Sequence, residues 1–271
     1  MRQPTVPFAS VLAGPLNRAW CALVLTACCL VGPAGHASDT RKSGFAFMSP
    51  ATQAMQTDDT QNPAMLWVKD GESLWQKPQG KSGKSCADCH GEAGKSMRGV
   101  AARYPAFDEP TKKPVNLAGR INACRKNRQD AAPYAPEHQE LLGLESFVAL
   151  QSRGMPIAPR RDARMSGAVS RGEKLFRQRI GQLDLACTHC HDDNAGRRLG
   201  GTPIPQAHPT GYPLYRLEWQ GMGSLQRRIR NCMSGVRAEP FAFNAAEMTE
   251  LETYLASRAT GMSMDAPAVR P

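Results

Sequence analysis

Aromatic side chains are scarce in this chain of 271 residues, at 6%, and acids are outnumbered, with 24 Asp+Glu against 34 Lys+Arg. The resulting formal charge of +10 points to anionic partners. It does not point to nucleic acid, because the basic residues form no tract interleaved with aromatics. Also missing is an apolar run long enough to span a bilayer. The run from Ala19 to Val31 is too short for that and reads as the core of an export signal. Arg2 and Arg18 precede it, and Gly35-His36-Ala37 supplies small residues around a cleavage point. Residues 1–37 are therefore expected to be a signal peptide, with a mature chain that starts near Ser38, holds no transmembrane segment and resides in the periplasm. A rival reading takes Leu25-Thr26-Ala27-Cys28 as a lipoprotein box that leaves Cys28 lipidated, although the apolar residues after Cys28 are unusual for that class.

Three of the nine cysteines, Cys21, Cys28 and Cys29, fall inside that signal. Four of the remaining six occur as Cys86-Ala87-Asp88-Cys89-His90 and Cys187-Thr188-His189-Cys190-His191. Cys-x-x-Cys-His is the pattern of covalent haem c attachment. Two intervening residues let one backbone turn present both thiols to one porphyrin edge, and the adjoining histidine supplies an axial bond to iron. Two covalently bound haem c groups are expected, on Cys86 and Cys89 with His90, and on Cys187 and Cys190 with His191. A zinc site built from the two Cys-x-x-Cys pairs would leave both histidines unexplained. Few aromatics suit a chain in which porphyrin supplies part of the apolar core.

The halves around these motifs repeat. Asp70-Gly-Glu-Ser-Leu-Trp75 and Arg171-Gly-Glu-Lys-Leu-Phe176 precede the two motifs. Downstream, Arg120-Ile-Asn-Ala-Cys124 matches Arg228-Ile-Arg-Asn-Cys232, and Glu140–Glu145 matches Glu247–Glu252. Gly154-Met155 matches Gly261-Met262. Repeats of this size are whole domains. Leu141, Leu144 and Val148, like Met248, Leu251 and Leu255, are apolar at helical spacing. The pattern predicts an all-α fold of two tandem cytochrome c-like domains, residues 63–155 and 156–271, meeting at a Pro-rich linker from Gly154 to Arg160. Residues 38–62 are polar without clear period and read as an N-terminal arm.

Two cysteines remain, Cys124 and Cys232, and a disulfide is the default for an oxidising compartment. Equivalent positions in a repeat suggest equivalent roles instead. Second iron ligands should then be Cys124 with Cys232, or Met155 with Met262; His138 and His208 have no counterpart. The cysteines precede the last helix of each half, where a distal ligand belongs, and this favours thiolate opposite His90 at the first iron and opposite His191 at the second. Methionines 155 and 262 then read as packing residues, and His189 as a solvent-facing spacer. Arg227, Arg228, Arg230 and Arg237 surround Cys232 and favour a thiolate and a small dianion. Pairing with haem propionates is the alternative for some of them. Arg120, Arg125, Lys126 and Arg128 make the first half similarly basic, so charge alone does not distinguish the two.

Two haem c motifs, each followed by a cysteine in an Arg-Ile-x-x-Cys context, resemble the SoxA family, dihaem subunits of the SoxAX cytochromes of sulfur-oxidising bacteria. The resemblance runs from about residue 65 to 257. It implies an L-cysteine S-thiosulfotransferase that joins thiosulfate oxidatively to a cysteine of a SoxYZ-like sulfur carrier, passes electrons to haem c, and works as a heterodimer with a small SoxX-like c-type cytochrome. The family's active cysteine, a persulfide-forming residue, matches Cys232, and its substrate-binding arginine matches Arg228. A dihaem electron-transfer cytochrome without sulfur chemistry is the alternative. A dihaem peroxidase is a third class, disfavoured by two paired cysteines.

Overall fold

The computed structural model describes residues 39–160 and 162–271. The expected signal peptide, its cleavage point and Cys28 lie outside the described residues. Of the first forty residues only Asp39 and Thr40 are described, while Arg41–Pro271 forms one compact unit.

Helices dominate that unit, as the repeat predicts. In chain order they are α1 (Pro50–Thr57), α2 (Ala64–Gln76), α3 (Cys86–His90), α4 (Ala93–Ser96), α5 (Leu117–Arg128), α6 (Gln139–Leu150), α7 (Ser166–Arg177), α8 (Cys187–His191), α9 (Leu225–Gly235) and α10 (Ala246–Arg258). Short strands pin the loops: β1 (Ala106–Asp108) with β2 (Lys113–Val115), β3 (Arg198–Leu199) with β4 (Thr202–Pro203), and β5 (Leu214–Arg216) between β6 (Gly221–Gly223) and β7 (Ala268–Arg270).

Each half is built on one crossing of its first and last long helices. The repeated glycine explains it. A Cβ on Gly71 would lie 2.1 Å from the Gly143 carbonyl oxygen, and one on Gly172 would lie 2.0 Å from that of Glu250. Only glycine allows α2 to touch α6, and α7 to touch α10, this closely. The repeated aromatic closes the crossing: Trp75 meets Phe147 at 5.8 Å between ring centroids, and Phe176 meets Tyr254 at 5.4 Å. Leu141, Leu144, Val148, Met248, Leu251 and Leu255 are all buried, as their spacing predicts.

The halves interlock. The Gly154–Ile157 stretch pairs with its own repeat counterpart: Ile157 N–H donates to Met262 O (2.8 Å), Gly154 N–H to Met264 O (2.8 Å) and Met264 N–H to Met155 O (2.9 Å). Both glycines take positive φ, +77° and +85°. Ile157, Ala259, Met264 and Ala266 share one core with Val68, Trp75 and Phe147. The arm is ordered into α1, and its Gln56 Oε1 accepts from Val269 N–H (3.1 Å) on the C-terminal strand β7.

Where the halves meet, equivalent residues line a cavity of about 150 Å³: Tyr104 and Tyr212, Leu117 and Leu225, Glu145 and Glu252. Glu252 Oε2 accepts from Asn116 Nδ2 (2.9 Å) of the first half and Gln226 Nε2 (3.0 Å) of the second. Burial, aided by the charges of Glu252 and Glu137, pushes the Glu145 carboxyl up to about 8. Burial also raises Glu252, to about 7, against the pull of its two amide donors.

Candidate haem-thiolate sites

Each Cys-x-x-Cys-His run is a single helical turn with its own cap. In α3, Ser85 Oγ accepts from Asp88 N–H (3.1 Å) and Asp88 Oδ2 accepts from Ser85 N–H (2.7 Å). This reciprocal box starts the turn at Cys86. Trp75 Nε1–H donates to Gly91 O (3.0 Å) and holds its exit. In α8 the capping residue is His189, whose Nδ1 accepts from Ala186 N–H (2.8 Å). Asn194 Nδ2 donates to His189 O (2.6 Å). His189 is therefore half-buried and structural, which corrects its reading as a solvent-facing spacer. The reason is positional: it occupies the third residue of the turn, where Asp88 stands in the other half.

His191 Nδ1 lies 2.7 Å from the Pro205 carbonyl oxygen. That contact requires a proton on Nδ1 and leaves Nε2 as a free lone pair, the tautomer in which metal-ligating histidines are held. Cys232, on α9, faces it, its sulfur within hydrogen-bond reach of the His191 ring. Cys232 also interacts electrostatically with both motif thiols, Cys187 and Cys190. The first half repeats the arrangement, with Cys124 on α5 acting on Cys86 and acted on by Cys89. All six described cysteines are free thiols, so Cys124 and Cys232 form no disulfide. Two thiols at an edge, an imidazole lone pair and an opposed sulfur make a donor set that fits haem c with thiolate opposite histidine.

The two distal cysteines differ in charge environment. Burial opposes ionisation of Cys232, but the His191 hydrogen bond and the charges of Arg228 and Arg216 outweigh it and bring the thiol below its ordinary range. Burial also acts on Cys124, and there Arg120 and Arg128 do not compensate, so that thiol is raised. Cys187 is pushed up to about 11 by burial and by Cys232.

Among the arginines flanking Cys232, Arg227 lies over the Trp219 ring at 4.2 Å and donates to Met222 O (3.3 Å). Arg230 lies over Phe243 at 4.7 Å and donates to the Phe241 carbonyl. Arg228, one helical turn before Cys232, has no such commitment among the described residues and lends its charge to the sulfur. In the first half Arg125 is locked against Tyr134, at 3.5 Å, and the Ala132 carbonyl. His138 caps α6, and His208 Nδ1 lies 3.0 Å from Lys42 O. Met155 and Met262 are packed partly buried, Met155 against Gly99 and Met262 against the first-half core. Sequence reasoning missed the Pro205 carbonyl, which carries no side-chain signal, and Arg216, which does.

Residues 70–157 and 171–264 each match the SoxA/TsdA cytochrome c domain family. The chain is 38% identical over 240 residues to the L-cysteine S-thiosulfotransferase subunit SoxA of Pseudaminobacter salicylatoxidans, covering 88% of this chain and 84% of that protein. It is 34% identical to the protein of the same description from Rhodovulum sulfidophilum, covering 86% and 81%. A crystal structure of SoxXA from P. pantotrophus superposes with a TM-score of 0.82 at 34% identity, over 85% of this chain and 87% of that one.

Proposed function

The chain belongs to the SoxA/TsdA cytochrome c domain family, and from that premise we propose that it is the dihaem subunit of a thiosulfate-oxidising cytochrome complex, an L-cysteine S-thiosulfotransferase. It works in the periplasm with a small SoxX-like cytochrome and serves a SoxYZ-like sulfur carrier. No helix among the described residues is long and apolar enough to cross a membrane. Its halves, 63–155 and 156–271, each carry one haem c. Cys86, Cys89, His90 and Cys124 hold the first; Cys187, Cys190, His191 and Cys232 hold the second. When bound, haem c supplies an iron that takes up electrons one at a time.

The residues of the second half do the rest. Arg228 binds the sulfonate end of thiosulfate through its planar fork of donors. That leaves the outer sulfur toward Cys232, the sulfur-transfer residue. The Cys232 thiolate forms a sulfur–sulfur bond to the outer sulfur as two electrons leave; the carrier's cysteine, having given up its thiol proton, then attacks that outer sulfur and breaks its bond to Cys232, which departs as thiolate. A dianion must be held beside a thiolate that repels it, so at least one fixed cation is required.

The observation that carries this reading is the asymmetry in charge beside the two distal cysteines: Arg120 is paired with Asp108 at 2.6 Å, whereas Arg228 has no carboxylate partner among the described residues and its charge acts on Cys232. The test is thiosulfate- and carrier-dependent turnover of the haem-loaded complex. Cys232→Met keeps its haem and loses turnover, whereas Cys124→Met retains it. Arg228→Ala loses about 2–5 kcal/mol of transition-state binding, roughly thirtyfold to several thousandfold in rate. Substantial turnover by Cys232→Met leaves only electron transfer. Loss in Cys124→Met alone moves the chemistry to the other half.

A further inference from the structure

The residue that ends the first hairpin strand before each cysteine-bearing helix reverses its charge between the two halves. The strand that precedes each cysteine-bearing helix is part of a hairpin of matching register: Ala106 faces Val115 in β1–β2, and Leu214 faces Gly223 in β5–β6. Each hairpin follows a Tyr-Pro pair and leads into a helix capped by a polar side chain, Asn116 or Ser224. The last residue of the first strand is Asp108 in one half and Arg216 in the other.

In the first half that residue neutralises the arginine one turn before the cysteine. Arg120 Nη2 lies 2.6 Å from Asp108 Oδ1, and the buried carboxylate is further held by Thr111 Oγ1 (2.7 Å). The equivalent arginine of the second half, Arg228, has no carboxylate partner among the described residues. Where Asp108 would stand, it meets a second guanidinium. Arg216 is 8% exposed, and its Nε is buried without a hydrogen-bond partner. Its one ion pair among the described residues runs outward, Nη2 to Glu218 Oε2 at 2.7 Å with Glu218 mostly exposed, and its guanidinium lies 5.1 Å from the Trp219 ring centroid. Burial and the neighbouring charge of Arg228 both make Arg216 harder to keep protonated, and the charges of Arg216 and Arg228 both act on Cys232.

A buried guanidinium with an unpaired donor, beside a half-buried one of like charge, costs stability unless an anion joins them. We infer that Arg216 is a second substrate-binding residue, which with Arg228 clamps the sulfonate of thiosulfate beside Cys232, and that the exchange of Asp for Arg here makes the second half, not the first, an anion site. This rests on the assignment of sulfur transfer to Cys232. Paired guanidiniums suit a dianion with three sulfonate oxygens, because each supplies two parallel donors in a fixed plane.

The test is equilibrium binding of radiolabelled thiosulfate to the oxidised, haem-loaded complex in the absence of carrier, with absorption and paramagnetic resonance spectra as controls. Arg216→Gln is expected to weaken binding by about ten- to a hundredfold, the worth of one charge-assisted contact, with both haem spectra retained. Arg216→Asp is expected to abolish binding while folding normally, because Asp at this position can pair with Arg228 as Asp108 pairs with Arg120. Arg216→Lys, which keeps charge without the fork, should fall between. Wild-type affinity in Arg216→Gln or Arg216→Asp overturns the inference. Turnover is measured in parallel to separate the two ideas. A dead Cys232→Met with unweakened Arg216→Gln sinks the clamp alone, whereas an active Cys232→Met sinks the functional reading beneath it.

Discussion

Replacing Glu145 by Gln should make the protein less sensitive to rising pH. Glu145 lines the junction cavity with Glu137 and Glu252; the other titratable residues there are Tyr104 and Tyr212, and among the described residues no Lys, Arg or His lines it. An ionised carboxylate would have no cation to meet. Its folded value of about 8 stands above the ordinary 4.5, so at neutral pH the folded state binds a proton that the unfolded chain has lost. The stability contributed by this group is full below about pH 4.5 and is lost as pH rises through about 8. Each pH unit between the two values is worth about 1.4 kcal/mol. The whole fall is on the order of 3–5 kcal/mol, some of it relieved by water entering the cavity. Glu252, raised to about 7, adds a smaller fall over the lower part of the same window. Gln at position 145 has the same shape and no charge to lose. Urea unfolding followed by far-ultraviolet circular dichroism, at pH 5.5, 7 and 8.5, reads the difference. The variant should match wild type at pH 5.5 and exceed it by a few kcal/mol at pH 8.5. Curves that stay parallel across the three pH values would refute the buried neutral acid.

Two further outcomes follow from the helix crossings and the duplicated motif. Gly172→Ala drives a Cβ to 2.0 Å from the Glu250 carbonyl oxygen and 2.8 Å from Tyr254 Cβ, so α7 must move off α10. The cost is about 3 kcal/mol, or roughly 6–12 °C in Tm by thermal melt, and an unchanged Tm would mean that the crossing is looser than described. Intact mass of the exported chain should exceed the apoprotein by two haems; an excess of one would show that one Cys-x-x-Cys-His turn is not loaded.

Local spacing alone made much of this protein legible. Haem attachment needs two thiols and a histidine within one turn, so Cys86–His90 and Cys187–His191 declare themselves without tertiary information. The same holds for helix faces such as Leu141, Leu144 and Val148. The repeat aligned Cys124 with Cys232, and the structure places each beside its own motif. Other properties depended on groups far apart in sequence. His189 looked idle until its Nδ1 was seen to cap Ala186. The sequence singled out Arg228, but that rings claim Arg227 and Arg230 is visible only in the structure. The glycines at 71 and 172 were visible as repeats, but their reason is a backbone carbonyl on another helix. The first half seemed as basic as the second because a count of charges cannot say which are neutralised. Asp108 cancels Arg120 only because a hairpin brings residues twelve apart within 2.6 Å. The contrast in charge between the halves was therefore set by tertiary structure, since the worth of a charge depends on its neighbours in space and on how much water is left between them.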